Sequence, residues 1–352
     1  MMNSLEEKKS TLDMLIEEHL KPHVKKIDVG EYYAEEFLKK LGELGFLSSV
    51  NKTQKEIITE GMSLVEEVSK VCMTTAFCLW CHLASLTYLR TTKNESLKNK
   101  YLPLLENGEL LGGTGLSNPM KYFAGLEKLH LSAKPTGNGY ILSGTLPAVS
   151  NLGKGHWFGV IASMEGKNEI MFFVPCDAER LVLKEKVDYL GVNGSATYSC
   201  TFNEVFIPEE WVLSEDAASF SNQIRPAFIA YQIPLGLGVT EASIVSTAKM
   251  SRRQNGCNRY LKKQPQDLQG VLSEIKEKIK DLFQSEEVNW KDIACIRLEA
   301  VYLALEAVQA NMLHHGSAGY IKDSAPSRRL REAYFFANLT PTVKHLEKVL
   351  NL

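Results

Sequence analysis

The strongest constraint on the fold is a double change of texture along the chain. Up to about Gly112 the apolar residues recur at spacings of three and four, as in LDMLIEEHLKPHVKKI and YAEEFLKKLGELGFL, the signature of amphipathic helices. From Gly112 the chain breaks into short β-type runs, GYILSGTLPAVSN, WFGVIASM, EIMFFVPC, RLVLKEKV and TYSCTFNEVFI, punctuated by Gly, Asn and Asp. From about Ser214 helical spacing returns. QDLQGVLSEIKEKIKDLF carries a single apolar stripe, and DIACIRLEAVYLALEAVQANMLHHG is apolar nearly all round and so reads as buried. Helices, then strands, then helices predict an α+β chain: an N-terminal helical domain over residues 1–113, a small antiparallel β-domain over 114–213, and a C-terminal helical bundle over 214–352.

Within the first part, Cys78-Leu79-Trp80-Cys81-His82 matches the C-x-x-C-H pattern of covalent haem attachment. Its context argues otherwise. Val71, Met73, Ala76, Phe77, Trp80, Ala84 and Leu86 surround it with helical apolar repetition, so the thiols read as core residues of a buried helix. A single C-x-x-C without a second pair is also a poor zinc site, and no metal site is expected. The seven cysteines are odd in number and irregular in spacing, which points to reduced thiols. A formal net charge of -2 gives no basis for nucleic acid or an anionic membrane surface as partner. The N-terminus has no apolar signal region, and the apolar stretch near 71–89 is interrupted by polar residues. Together these predict a cytoplasmic protein without a membrane span.

Three segments carry chemistry beyond pattern: Gly113-Thr114-Gly115-Leu116-Ser117-Asn118-Pro119 before GYILSGTLPAVSN; Gly194-Ser195-Ala196-Thr197 before FNEVFIP; and HHGSAGY before SRRLREA. With NKYLPLLENGELLGG and PLGLGVTEA in the same order, they resemble the acyl-CoA dehydrogenase family over about residues 10–352. The resemblance implies an N-terminal helical domain, a middle β-barrel-like domain and a C-terminal four-helix bundle. It also implies FAD between the last two, a small-molecule substrate such as an acyl-CoA, and a homodimer or homotetramer.

The family's flavin-facing positions correspond to Leu116, Ser117, Ser150, Arg252, Asn255, Gly316, Ser317 and Thr342. Ser117 and Ser150 keep a hydroxyl where the family has Thr. Ala148 replaces a Trp that packs on the flavin, and Trp157 stands nearby as a residue able to fill the space. Arg252 keeps the arginine that reaches a neighbouring subunit's pyrophosphate, a bidentate role lysine does not copy. Asn255 replaces a stacking Phe. The family's general base, a Glu nine residues after the Arg of an Arg-Asp-Ala element, corresponds to Thr340, counted from Arg331. The alternative base position falls in NQIRPAFIAYQIPLG, which has no Asp or Glu. Removal of the α-proton needs a base within hydrogen-bond reach, so three readings follow. One is an FAD-dependent, acyl-CoA-dehydrogenase-like oxidoreductase with its base elsewhere, at Glu332, Glu347 or a histidine. The second is a flavin monooxygenase on the same fold. The third is a non-catalytic flavin-binding or scaffold subunit.

Overall fold

The computed structural model describes residues 5–166, 168–186, 188–285 and 288–351. Six helices open the chain: α1 (Leu5–Leu15), α2 (Val24–Asp28), α3 (Glu35–Glu43), α4 (Gln54–Val71), α5 (Met73–Thr91) and α6 (Glu95–Glu106). Local chemistry sets their ends. Thr53 and Glu56 form a reciprocal capping box at the start of α4. Gly45, at φ +77°, follows α3 in the left-handed conformation that ends a helix without a Cβ penalty. Pro103 lies inside α6, three residues before its end. Helix α5 is buried from Met73 to Leu89, as its all-round apolar sequence requires.

The middle of the molecule holds β1 (Gly112–Thr114), helix α7 (Ser117–Phe123), and strands β2 (Leu131–Pro135), β3 (Gly139–Val149), β4 (Trp157–Met164), β5 (Ile170–Pro175), β6 (Leu181–Glu185), β7 (Tyr198–Pro208) and β8 (Val212–Ser214). The strand order is β6-β7-β3-β2-β4-β5-β8, with β1 added beside β4. Five of the pairings are antiparallel, but β1 and β2 each run parallel to β4, so the sheet is mixed. The parallel pairs follow from connectivity. Neither pair joins consecutive strands: β3 runs antiparallel to β2 and lies between β2 and β4 in the chain, so β4 returns in the direction of β2. The sheet has its own apolar core, centred on Leu142, Phe158, Phe172 and Phe202.

The chain closes with α8 (Ala217–Ala230), α9 (Ile233–Ala248), α10 (Pro265–Gln284), α11 (Trp290–His315), α12 (Ala325–Asn338) and α13 (Val343–Leu350). Helix α9 packs on α4, α10 and α11, and the apolar side chains of both helical parts merge into one core. That merger places α5 between the sheet and the C-terminal helices. Among the described residues, the one stretch long and apolar enough to cross a membrane is 217–248, and it is mostly buried in this core.

Candidate active site

The C-x-x-C-H segment is structural. Cys78 and Cys81 are buried, and burial pushes both thiols well above their ordinary pKa. His82 is fully buried, with Nε2 at 3.0 Å from the Leu105 carbonyl and Nδ1 accepting from the Gly112 amide at 3.0 Å. Burial pushes its pKa down to about 3, so it is a neutral tie between α5, α6 and β1. Among the described residues no three His, Cys, Asp or Glu side chains gather as a metal site.

Beside this helix, where the sheet meets α8 and α12, lies a cavity of about 210 Å³. One wall carries hydroxyls and the exposed Ala148; the other is aromatic, made by Phe77, Trp80, Phe228 and Phe335. The rings lock together. Phe77 meets Phe335 edge-on at 4.7 Å, and Trp80 meets Phe228 edge-on at 4.8 Å. Trp80 also donates its indole N–H to the Phe228 carbonyl at 3.0 Å. On the polar wall, Ser117 and Thr340 share a hydroxyl–hydroxyl hydrogen bond of 2.9 Å, and Ser150 pairs with Thr197 at 2.6 Å. Gly113 allows the strand carrying these groups to sit this close, since a Cβ there would stand 2.6 Å from Leu152 and 2.8 Å from the Ser150 carbonyl.

Ser117, Ser150 and Thr340 therefore come together across as many as 223 residues of chain. Leu116 is buried behind them at the start of α7 and does not line the cavity. Thr342 uses its hydroxyl to cap α13, accepting from the His345 amide. Trp157 does not replace the tryptophan missing at Ala148: it packs on Tyr101, Phe173 and Trp211.

Arg252, Asn255, Gly316 and Ser317 form a separate group at the far end of the bundle. Asn258 donates to the carbonyls of Met250 and His314, which pins the 251–260 segment beside the end of α11. Asn255 (φ +56°) and Gly256 (φ +73°) are both left-handed there, and Gly316 (φ +58°) ends α11. Gln232, just before α9, donates to the Thr340 carbonyl at 2.9 Å. The two groups thus lie at opposite ends of α9, whose 16 residues span about 24 Å.

None of the named candidates for the base reaches the cavity. Glu332 is buried, and its Oε1 accepts from the amide and hydroxyl of Thr74, so it caps the start of α5. Burial raises its pKa above the ordinary carboxylate range. Glu347 is bonded by the exposed Tyr302 hydroxyl at 2.7 Å. His314 and His315 bind Lys263 and Ser246 at the far end of the bundle. His345 lines a neighbouring apolar cavity of about 220 Å³ with Arg225 and Trp290. The residues of the aromatic wall were not recognised as a site in the sequence. The signal was present as a Phe and a Trp three apart on a buried helix, but nothing local says which face meets a cavity.

Residues 4–109 match the family described as acyl-CoA dehydrogenase, N-terminal domain. A probable acyl-CoA dehydrogenase of Bacillus subtilis is 27% identical over 350 residues, covering 89% of this chain and 87% of its own. A short-chain specific acyl-CoA dehydrogenase of Clostridium acetobutylicum is 25% identical over 344 residues, covering 90% and 89%. A glutaryl-CoA dehydrogenase from Mycobacterium smegmatis, solved in complex with FADH2, superposes with a TM-score of 0.80 at 19% identity, covering 99% of this chain and 94% of that one. The fold is that of the acyl-CoA dehydrogenases. In sequence the chain is similar to that family over residues 4–109 and to these relatives at 25–27% identity.

Proposed function

We propose that the protein is an FAD-dependent oxidoreductase acting on a small acyl thioester at the cavity between the sheet and α12. The observation that carries this reading is the cavity wall itself. Two hydroxyls, on Ser117 and Ser150, and the open strand at Ala148 face a set of aromatic rings. This donor set fits the ring portion of a flavin: hydroxyls suit its polar edge, and an unobstructed strand suits its flat face. The remainder of the dinucleotide extends outside the cavity. The length of α9, about 24 Å, separates Arg252 and Gly316 from this wall, so they serve a flavin held mainly by a second copy of the chain, in a homodimer or homotetramer. When bound, the flavin supplies a two-electron acceptor for hydride.

The protein's own residues set what happens around it. Ser117 and Ser150 orient the ring. Phe77, Trp80 and Phe335 close the cavity and restrict the acyl group to a short one. Thr340 presents a hydroxyl tied to Ser117, and its carbonyl is held by Gln232. A threonine hydroxyl does not accept a carbon-bound proton near neutral pH, and loss of a general base costs about 10²- to 10⁴-fold in rate. Slow dehydrogenation is the expected result.

The same base-free lining favours a second reading, a flavin monooxygenase acting on a small apolar substrate, because oxygen transfer from reduced flavin does not require that proton acceptor. The visible spectrum of the purified protein and titration with FAD test the shared premise; absence of flavin binding at every concentration removes both readings and leaves a scaffold subunit. Acyl-CoA-dependent bleaching of the bound flavin supports the first. Oxygen consumption driven by NADH and a flavin reductase, dependent on added substrate, supports the second.

A further inference from the structure

We propose that the cleft between the N-terminal helices and the C-terminal bundle is a binding site for a nucleotide-type polyphosphate, separate from the flavin cavity. The cleft holds about 590 Å³, in the range of small-molecule pockets. Six cationic side chains line it: Lys21, Lys25, Lys70, Lys249, Arg328 and Arg329. They come from the turn before α2 and α2 itself, the end of α4, the residue after α9 and the first turns of α12. Three carboxylates face them, Asp28, Glu241 and Asp323. Two of these are already committed. Asp28 takes two hydrogen bonds from Arg331, at 2.7 and 2.6 Å. Glu241 is bridged by Lys70 at 3.0 Å and Lys276 at 2.8 Å.

The cations are less well matched. Lys21 pairs with Glu17, and Lys70 with Glu67 and Glu241. Among the described residues, Lys25, Lys249 and Arg329 have no carboxylate within ion-pair distance. Arg328 has Glu332 only at 3.9 Å. Arg329 spends Nη1 on two neutral acceptors, the Ala242 carbonyl and the Asn311 side chain, and its Nε is buried without an acceptor. Burial, with the like charge of Arg328 beside it, brings its pKa down to about 10.

A guanidinium held half-satisfied beside a second guanidinium and two free ammonium groups is arranged for a multiply charged anion, whose oxygens take the unused donors. Val24, Val71 and Val245 add apolar surface next to the charges, which suits a base or other flat body attached to the phosphates. No residue of this cleft lines the flavin cavity, and Arg252 is not among its lining residues. A ligand here touches both helical parts of the chain and ties them together.

Isothermal titration of the full chain with ATP, inorganic triphosphate and adenosine tests the site. Saturable binding of ATP, weaker saturable binding of triphosphate and none of adenosine is the expected pattern. Lys25→Gln and Lys249→Gln alter exposed side chains, so circular dichroism should be unchanged. Each should weaken ATP about tenfold, the scale of one charge-assisted hydrogen bond. Arg329→Gln should remove binding. Unchanged ATP affinity in the Lys25→Gln, Lys249→Gln double variant overturns the proposal. So does competition between ATP and FAD with loss of both in Arg252→Ala, which would put the anion on the flavin's own path. Non-saturating heats equal to those of sulfate would mean an adventitious ion only.

Discussion

The two ends of helix α12 treat charge in opposite ways. Toward its start, Arg328, Arg331 and Glu332 are buried or half-buried and tied to Val71, Asp28 and Thr74. At its end, Phe335 and the segment leading to Thr340 line a cavity without a carboxylate or an imidazole. The ionisable groups near the expected base position are thus spent on joining α12 to the N-terminal helices. A carboxylate close in sequence to a catalytic position is not available for catalysis when its proton-accepting atoms already cap another helix.

The sharpest way to break this contrast is to put a carboxylate at the neutral end. Thr340→Glu should raise α-proton exchange on a bound short acyl-CoA by about 10²- to 10⁴-fold, read by deuterium incorporation; no gain in a variant that still binds the ligand would show that Thr340 is not at the reacting carbon. The converse change strips the charged end. Arg331→Ala leaves Asp28 buried without its partner and should cost about 3–5 kcal/mol in denaturant-induced unfolding, while flavin binding by the folded fraction stays intact. A loss below 1 kcal/mol would mean that the pair is not structural.

Opening the aromatic wall should have a smaller effect. Phe335→Ala should cost about 2 kcal/mol, less than a fully buried aromatic because the ring is half-buried, and should admit a longer acyl chain, measured as a shift in chain-length preference of binding. His82 then asks whether neutrality extends beyond the cavity. Its folded pKa of about 3 lies below the unfolded value near 6.5, so the unfolded state binds the proton first as pH falls. Its contribution is present above pH 6.5 and is lost between pH 6.5 and 3, at up to about 1.4 kcal/mol per pH unit. His82→Gln should flatten the stability profile in that window; an unchanged slope would assign acid sensitivity to other groups.

The sequence carried the order of helices and strands because hydrophobic period is a local property, visible in any window of a dozen residues. It also carried the haem-like segment's true nature, since apolar residues on every side of Cys78 and Cys81 leave that helix only a buried place. Two matters escaped it. The parallel pairing of β1 and β2 with β4 joins strands that are not consecutive in the chain, which no single strand's pattern encodes. The destination of Glu332 depends on where the start of α5 lies in space.

What the amino-acid sequence determined by itself is the three-part architecture, the burial of α5 and the absence of a carboxylate at position 340, all of them statements about period or identity. What only the tertiary structure decided is which of those residues meet. Ser117 and Thr340 form a hydrogen bond across 223 positions, Glu332 caps a helix 258 positions away, and the cations of the interdomain cleft converge from separate segments. The reason is physical. Periodicity says which face of an element is apolar, but the packing of one element on another determines whether a polar group finds a partner, an empty cavity or water.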